Sequence, residues 1–199
     1  MIYIGIDPGK RGAWSVLDPK RMKVLDWQAA DCPKHGFANR SYRGHHAYSH
    51  FQMTEGMKEA KALAKENGET IMAVIEQQRT HPKEGRVSAF TTGYGFGLWC
   101  GILSALEIPW RSVTGTVWTR EILKGATTGG PKVHNEKKGR TQKKKSIHFV
   151  AQMFPEFASH EHGLTLNRRI NAHDGLADSV CLALYGHVSY GEFEFGKFR

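Results

Sequence analysis

Four carboxylates set the chemistry open to this chain. Asp7 ends the apolar run MIYIGID, Glu76 ends TIMAVIE, and Asp174 and Asp178 stand four apart in HDGLADSVCLALYG. A carboxylate tied to an apolar segment is costly to bury unless positive charge lies against it. If the four converge, their oxygen-only ligand set suits Mg²⁺ or Mn²⁺ rather than zinc. Two such ions about 3.5–4 Å apart activate a water and stabilise the leaving oxygen during in-line attack on phosphorus. Single members have simpler roles available: Asp7 in an Asx-turn over Pro8–Gly9, Asp174 as a helix N-terminal group favoured by the dipole. Asp178 has no such outlet, since it lies inside LADSVCLA one turn from Asp174, where like charges repel. His173 could position the water or protonate a leaving group near neutral pH, or could simply open the helix.

Convergence depends on the elements between these residues. Residues 1–7 and 12–18 are apolar runs split by PGKRG, which predicts a β-hairpin, and 22–28 extends it as a third strand. Residues 29–50 lack periodicity, carry His35, His45, His46 and His50, and predict a long loop. Met53, Met57, Ala60 and Ala64 share one face of a helix over about 51–67, ended by Asn67–Gly68. Residues 70–76 read as a continuous apolar strand covered on both faces. A polar stretch at 77–86, a helix over about 87–107, a strand near 108–114 and a short helix near 116–124 follow. The basic, Gly-rich segment 125–140 predicts an exposed loop. Beyond it Lys143, Lys144 and Lys145 open a helix whose stripe is Ile147, Val150, Ala151 and Phe154. The last helix, about 172–187, buries Leu176, Ala177, Val180, Cys181 and Leu184. This order defines an α/β class: one domain over 1–188 with loop insertions at 29–50 and 125–140, then a weakly held tail at 189–199.

Bulk properties narrow the setting. A length of 199 residues with 40% hydrophobic content suits one packed domain. No apolar run reaches about 18 residues and the start reads as a strand rather than a leader, so the expectation is a cytoplasmic protein without membrane association. Cys32, Cys100 and Cys181 are odd in number and unclustered, which excludes a disulfide scaffold. Cys32 and His35 lack the further close ligands of a zinc site. GYGFG at 93–97 sits in a helical apolar pattern and lacks the Lys-Ser/Thr of a phosphate loop, and no organic cofactor is expected. Lys plus Arg number 28 against 19 Asp plus Glu, a net charge of +9. Lys132, Lys137, Lys138, Arg140, Lys143, Lys144 and Lys145 crowd a stretch holding one acid, Glu136. That points to a polyanionic partner held through its backbone, the alternative being a solvated loop that serves solubility alone.

The ordered motifs IGIDPGKRGA, VIEQQ, GYGFGLWCGILSALEIPW and HDGLADSVCLALYG resemble those of the RuvC-like Holliday junction resolvases, most closely the branch found in phages and organelles. The similarity runs over about residues 1–187. It implies an RNase H-like (ribonuclease H-like) mixed sheet flanked by helices, a homodimer, and Mg²⁺-dependent paired nicking of four-way DNA junctions to give 5′-phosphate and 3′-hydroxyl ends. On this resemblance Asp7, Glu76, Asp174 and Asp178 are metal ligands, for two ions in each site. The last two acids stand four apart, as in organelle-type members, rather than three; Gly175 occupies the position the bacterial spacing would select. The stretch after the central Glu reaches into the junction in this family, which makes Gln77, Gln78, Arg79, Lys83 and Arg86 candidate DNA contacts alongside the basic cluster. An aromatic wedge at the bacterial position is absent. The expected setting is phage-encoded or bacterial. Rival readings are another nuclease of the same fold acting on flaps, branched DNA or hybrids, and a non-catalytic junction-binding protein.

The helix at 87–107 fits a dimer on physical grounds as well. Phe90, Tyr94, Leu98, Gly101 and Ala105 mark one stripe, and Phe96, Trp99, Cys100, Leu103 and Leu106 fill much of the rest. A helix apolar on both sides is buried in one core or shared between a core and a partner.

Overall fold

A computed structural model describes residues 1–30, 36–39, 41–80, 82–126, 138–155 and 174–191, with 138–144 described as backbone alone. Five strands form one sheet: β1 (Ile2–Asp7), β2 (Ala13–Asp18), β3 (Lys23–Ala29), β4 (Ile71–Glu76) and β5 (Trp110–Val113). Their spatial order is β3-β2-β1-β4-β5. The hairpin strands pair antiparallel, whereas β4 pairs parallel with both β1 and β5, so the sheet is mixed. Among the described residues five α-helices accompany it: α1 (His50–Glu66), α2 (Arg86–Ala105), α3 (Gly115–Ile122), α4 (Lys138–Met153) and α5 (Asp174–Tyr190).

Alternation along the strands assigns the two faces. Ile2, Ile4 and Ile6 of β1 and Ala73 and Ile75 of β4 pack with Met53, Met57, Trp99 and Leu103 of α1 and α2. Tyr3 of β1 and Met72 and Val74 of β4 pack on the opposite side with α3, α4 and α5. Asp7 and Glu76 fall in the second set by parity. The register Ile6↔Ile75 sets them side by side where two parallel strands end.

Helix α5 lies at the centre of that second layer, with Leu176, Ala177, Val180, Cys181 and Leu184 all buried. It comes unusually close to β1. A Cβ built on Gly5 would stand 2.5 Å from Ala183 N and closer still to Ser179 O, so only glycine allows the contact.

Several sequence expectations need correction. Helix α4 begins at Lys138, so Lys138 and Arg140 are helical rather than in a loop, and Lys143, Lys144 and Lys145 lie within the helix instead of opening it. Straight-chain Lys and Gln are good helix formers, which extends the helix upstream of its apolar stripe. Helix α5 runs on through Tyr190, whose ring meets Tyr185 edge-on at 6.2 Å, so residues 189 and 190 are helical rather than part of a tail; residues 192–199 lie outside the described residues. Part of the 29–50 loop is packed down. A 3-10 turn spans Gly44–Ala47, Ala38 bridges Tyr48, and Phe37 is buried edge-on against Trp99 at 5.1 Å. In α2 the buried ridge is Thr91, Gly95, Trp99, Ile102 and Leu103.

Candidate active site

Asp7 stands where β1 turns into the hairpin. Gly9 N–H donates to its Oδ1 at 3.2 Å, the Asx geometry. That bond occupies one oxygen and leaves the half-buried carboxylate beside Glu76. The turn is backed by Tyr48, whose hydroxyl donates to Pro8 O at 3.5 Å. Burial, and then the Asp7 charge, push this phenol up to about 12.

Glu76 is oriented from α3. Trp118 Nε1–H donates to Glu76 Oε1 at 3.4 Å from a buried indole. Gly115 is the residue that leaves room for that oxygen, since a Cβ there would overlap Oε1.

Asp174 opens α5 and Asp178 follows one turn later. The start of this helix is seated on the β1–β2 turn through Gly175, where a Cβ would lie 2.7 Å from Gly12 Cα. Asp178 keeps a partly open edge, yet burial pushes its carboxyl well above the usual aspartate range. The negative charges of Asp7, Glu76 and Asp174 add to the rise, and a hydrogen bond with buried Ser146 of α4 opposes it. Asp7, Glu76 and Asp174 are therefore all close enough to act on Asp178.

A divalent cation fits this set chemically, because every donor is a hard oxygen and Asp7, Glu76 and Asp174 all bring negative charge to Asp178. Among the described residues no three Asp, Glu, His or Cys side chains form a ready ligand group. Closing on an ion would thus require side-chain rotation at strand and helix ends that the backbone has already brought together.

The other predicted residues divide by position. Gln77 and Arg79 are exposed and Gln78 is half-buried just beyond Glu76; Lys83 and Arg86 are exposed between that stretch and the start of α2. Lys145 is half-buried in α4. For Lys138, Arg140, Lys143 and Lys144 only the helical backbone is described, and His173, Lys132 and Lys137 lie outside the described residues. On α2, Phe90 is 59% exposed, Gly101 and Ala105 are exposed, and Tyr94 and Leu98 are half-buried. Trp118, Ser146, Tyr48 and Gly115 were not foreseen. No local signal marks them, since each acts on a carboxylate more than 30 positions away.

The sheet order, the α5 crossing and the paired strand-end carboxylates define an RNase H-like α/β fold. Among solved structures, T. thermophilus RuvC in complex with Holliday junction substrate matches with a TM-score of 0.53 at 13% identity, covering 96% of this chain and 94% of that one. A second Thermus thermophilus RuvC structure matches with a TM-score of 0.51 at 15% identity, covering 96% and 95%. The chain thus shares the RuvC fold along nearly its whole length. No protein-family model and no curated protein matches the sequence. Among the described residues no helix is long and apolar enough to cross a membrane.

Proposed function

We propose that the protein is a metal-dependent endonuclease that resolves four-way DNA junctions. The observation carrying this reading is that the ends of β1 and β4 set Asp7 and Glu76 side by side under the first turns of α5, which bear Asp174 and Asp178, in a chain whose net charge is +9. A surface evolved only to hold phosphates gains nothing from four clustered negative charges, which argues against a purely DNA-binding role. Asp7, Glu76, Asp174 and Asp178 would hold Mg²⁺ or Mn²⁺, which when bound supplies an activated water and charge relief at the leaving oxygen. The chain's own part is positional: Trp118 and Gly115 set Glu76, Ser146 holds Asp178, and the Gly9 amide holds Asp7.

Two copies acting across a two-fold junction would place two sites on opposed strands. In support of pairing through α2, Phe90 is exposed and Gly93, Gly97 and Gly101 face open space in the single chain.

The test is incubation with four-way junctions, flaps, RNA–DNA hybrids and linear duplex, with Mg²⁺ or EDTA. Paired Mg²⁺-dependent nicks confined to the junction are the expected result. Cleavage across all branched substrates would move the assignment to a general nuclease of this fold, and tight binding without cleavage would move it to a junction-binding protein. The variant Asp7→Asn should bind junctions and fail to nick them.

A further inference from the structure

Strand β5 has an open outer edge, since among the described residues no strand pairs with that side. Ala73 N and Gln77 N donate to Pro109 O and Val113 O, each at 2.8 Å, so residues 109, 111 and 113 turn their backbone groups toward β4. Trp110 and Ser112 therefore present their N–H and C=O groups outward. The Arg111 guanidinium reaches round to Trp110 O at 3.3 Å.

A groove of about 580 Å³ runs beside this edge, between β5 and the end of α2. Half-buried Trp110 lines it, and the indole is pinned by donating from Nε1 to Ser104 Oγ at 3.1 Å. The two sides of β5 differ in chemistry. Trp110 packs with the α1 and α2 layer, whereas Val113, and Arg111 with it by alternation, belongs to the α5 side. An unpaired edge with aromatic surface beside it suits an extended segment.

The chain itself brings such a segment here. A Cβ on Gly186 would meet the Tyr3 ring and Val74, so the last turns of α5 cross β1 and β4. Tyr190 ends the helix, and its phenol, raised first by burial and then by Tyr185, is drawn back by the Arg111 charge. Residues 192–199 follow Gly191 with the sequence EFEFGKFR. At about 3.3 Å per residue they reach about 26 Å, roughly twice the length of β5. Phe193 and Phe195 alternate with Glu192 and Glu194 ahead of Gly196, which gives one aromatic and one acidic face. These faces match the two sides of β5, rings toward Trp110 and carboxylates toward Arg111.

We propose that residues 192–199 fold over the open edge of β5, with Phe193 and Phe195 in the groove beside Trp110 and Glu192 and Glu194 against Arg111. Docking from the same chain benefits from a high effective concentration, and it shields an edge that could otherwise pair with a second copy. Nothing in this docking depends on the nuclease reading.

The experiment measures amide exchange by NMR in the full chain and in a Phe193→Ser/Phe195→Ser variant. The Trp110 and Ser112 amides should exchange about tenfold faster in the variant, the effect of losing one hydrogen bond of ordinary net strength. The Arg111 amide, which faces β4, should not change. Arg111→Glu should speed the same two amides, and adding Glu192→Arg and Glu194→Arg to it should restore their protection. Equal exchange of Trp110 and Ser112 in wild type and the Phe variant would overturn the docking. Protection that fades on dilution would overturn it as well, by assigning the edge to the tail of a second copy.

Discussion

Replacing Gly175 with Ala tests whether the site depends on the seating of α5 rather than on its carboxylates alone. The added methyl carbon would stand 2.7 Å from Gly12 Cα, and closer to Arg11 O, where ordinary contact begins near 3.4 Å. These neighbours are backbone atoms of the hairpin turn, so they cannot swing aside as a side chain would. The nearer Arg11 carbonyl sets the displacement, so the helix start must retreat by about 1 Å, carrying Asp174 and Asp178 away from Asp7. Overpacking of this kind costs about 1–3 kcal/mol, which for a domain of this size lowers Tm by roughly 2–12 °C. Misplacement approaching 1 Å at a reacting centre costs up to about 10²-fold in rate. Single-turnover nicking with Mg²⁺ should therefore fall about 10- to 100-fold, while junction affinity in EDTA stays near wild type. The reasoning would be refuted by a Gly175→Ala protein that melts and nicks as wild type does.

Trp118→Phe removes the indole donor to Glu76 and keeps most of the ring volume. At 3.4 Å that bond is long, so apparent Mg²⁺ affinity should weaken by about tenfold, the low end for groups that orient metal ligands, and titration of the tryptophan fluorescence with Mg²⁺ checks it. Asp178→Asn should raise the Tm of the metal-free protein near neutral pH. The native carboxyl is held above its ordinary value of 3.8, so the stability tied to its protonated form is lost as pH rises through the native pKa, and Asn has no such dependence. A pH series of melting curves decides this. Gly97→Ala should add about 1 kcal/mol to the helix if α2 is bare, but should weaken self-association if two α2 helices meet there, as sedimentation equilibrium would show. Replacing Lys143, Lys144 and Lys145 with Ala should reduce the salt slope of junction binding by about 0.9 for each phosphate that is no longer neutralised.

The ends of β1 and β4 were legible because an apolar run that stops at an acid marks where a buried strand leaves the core. Helix α1 was legible for a similar reason, with Met53, Met57, Ala60 and Ala64 all buried as their spacing predicts. What escaped was whatever depends on contact between distant segments. Trp118 looks like one more apolar residue on a short helix, and its bond to Glu76 follows only from α3 packing under the end of β4. Ser146 precedes the stripe Ile147, Val150 and Phe154 and gives no sign that it faces Asp178. The boundaries of α4 and α5 escaped because an apolar stripe marks only the buried turns of a helix. Lys and Tyr residues continue the backbone pattern beyond those turns.

Parity joins these observations. Asp7 shares a face with Tyr3 and Gly5, and Glu76 with Met72 and Val74, so both acids are bound to the α5 side by the twofold alternation of the strands. A one-residue insertion in either strand would turn its acid toward α1 and α2 while leaving the hydrogen-bonded ladder intact. Gly5 then sets how near α5 can come, and Gly175 sets where its first turn stops against the hairpin. The backbone of Asp178 is held in place by its buried neighbours Ala177 and Ser179. The arrangement fixes a repulsive cluster in place at a cost in stability, as expected where function opposes folding. On the proposed reading a bound cation would offset that cost, so the apolar envelope of α5 would belong to the site as much as the carboxylates do.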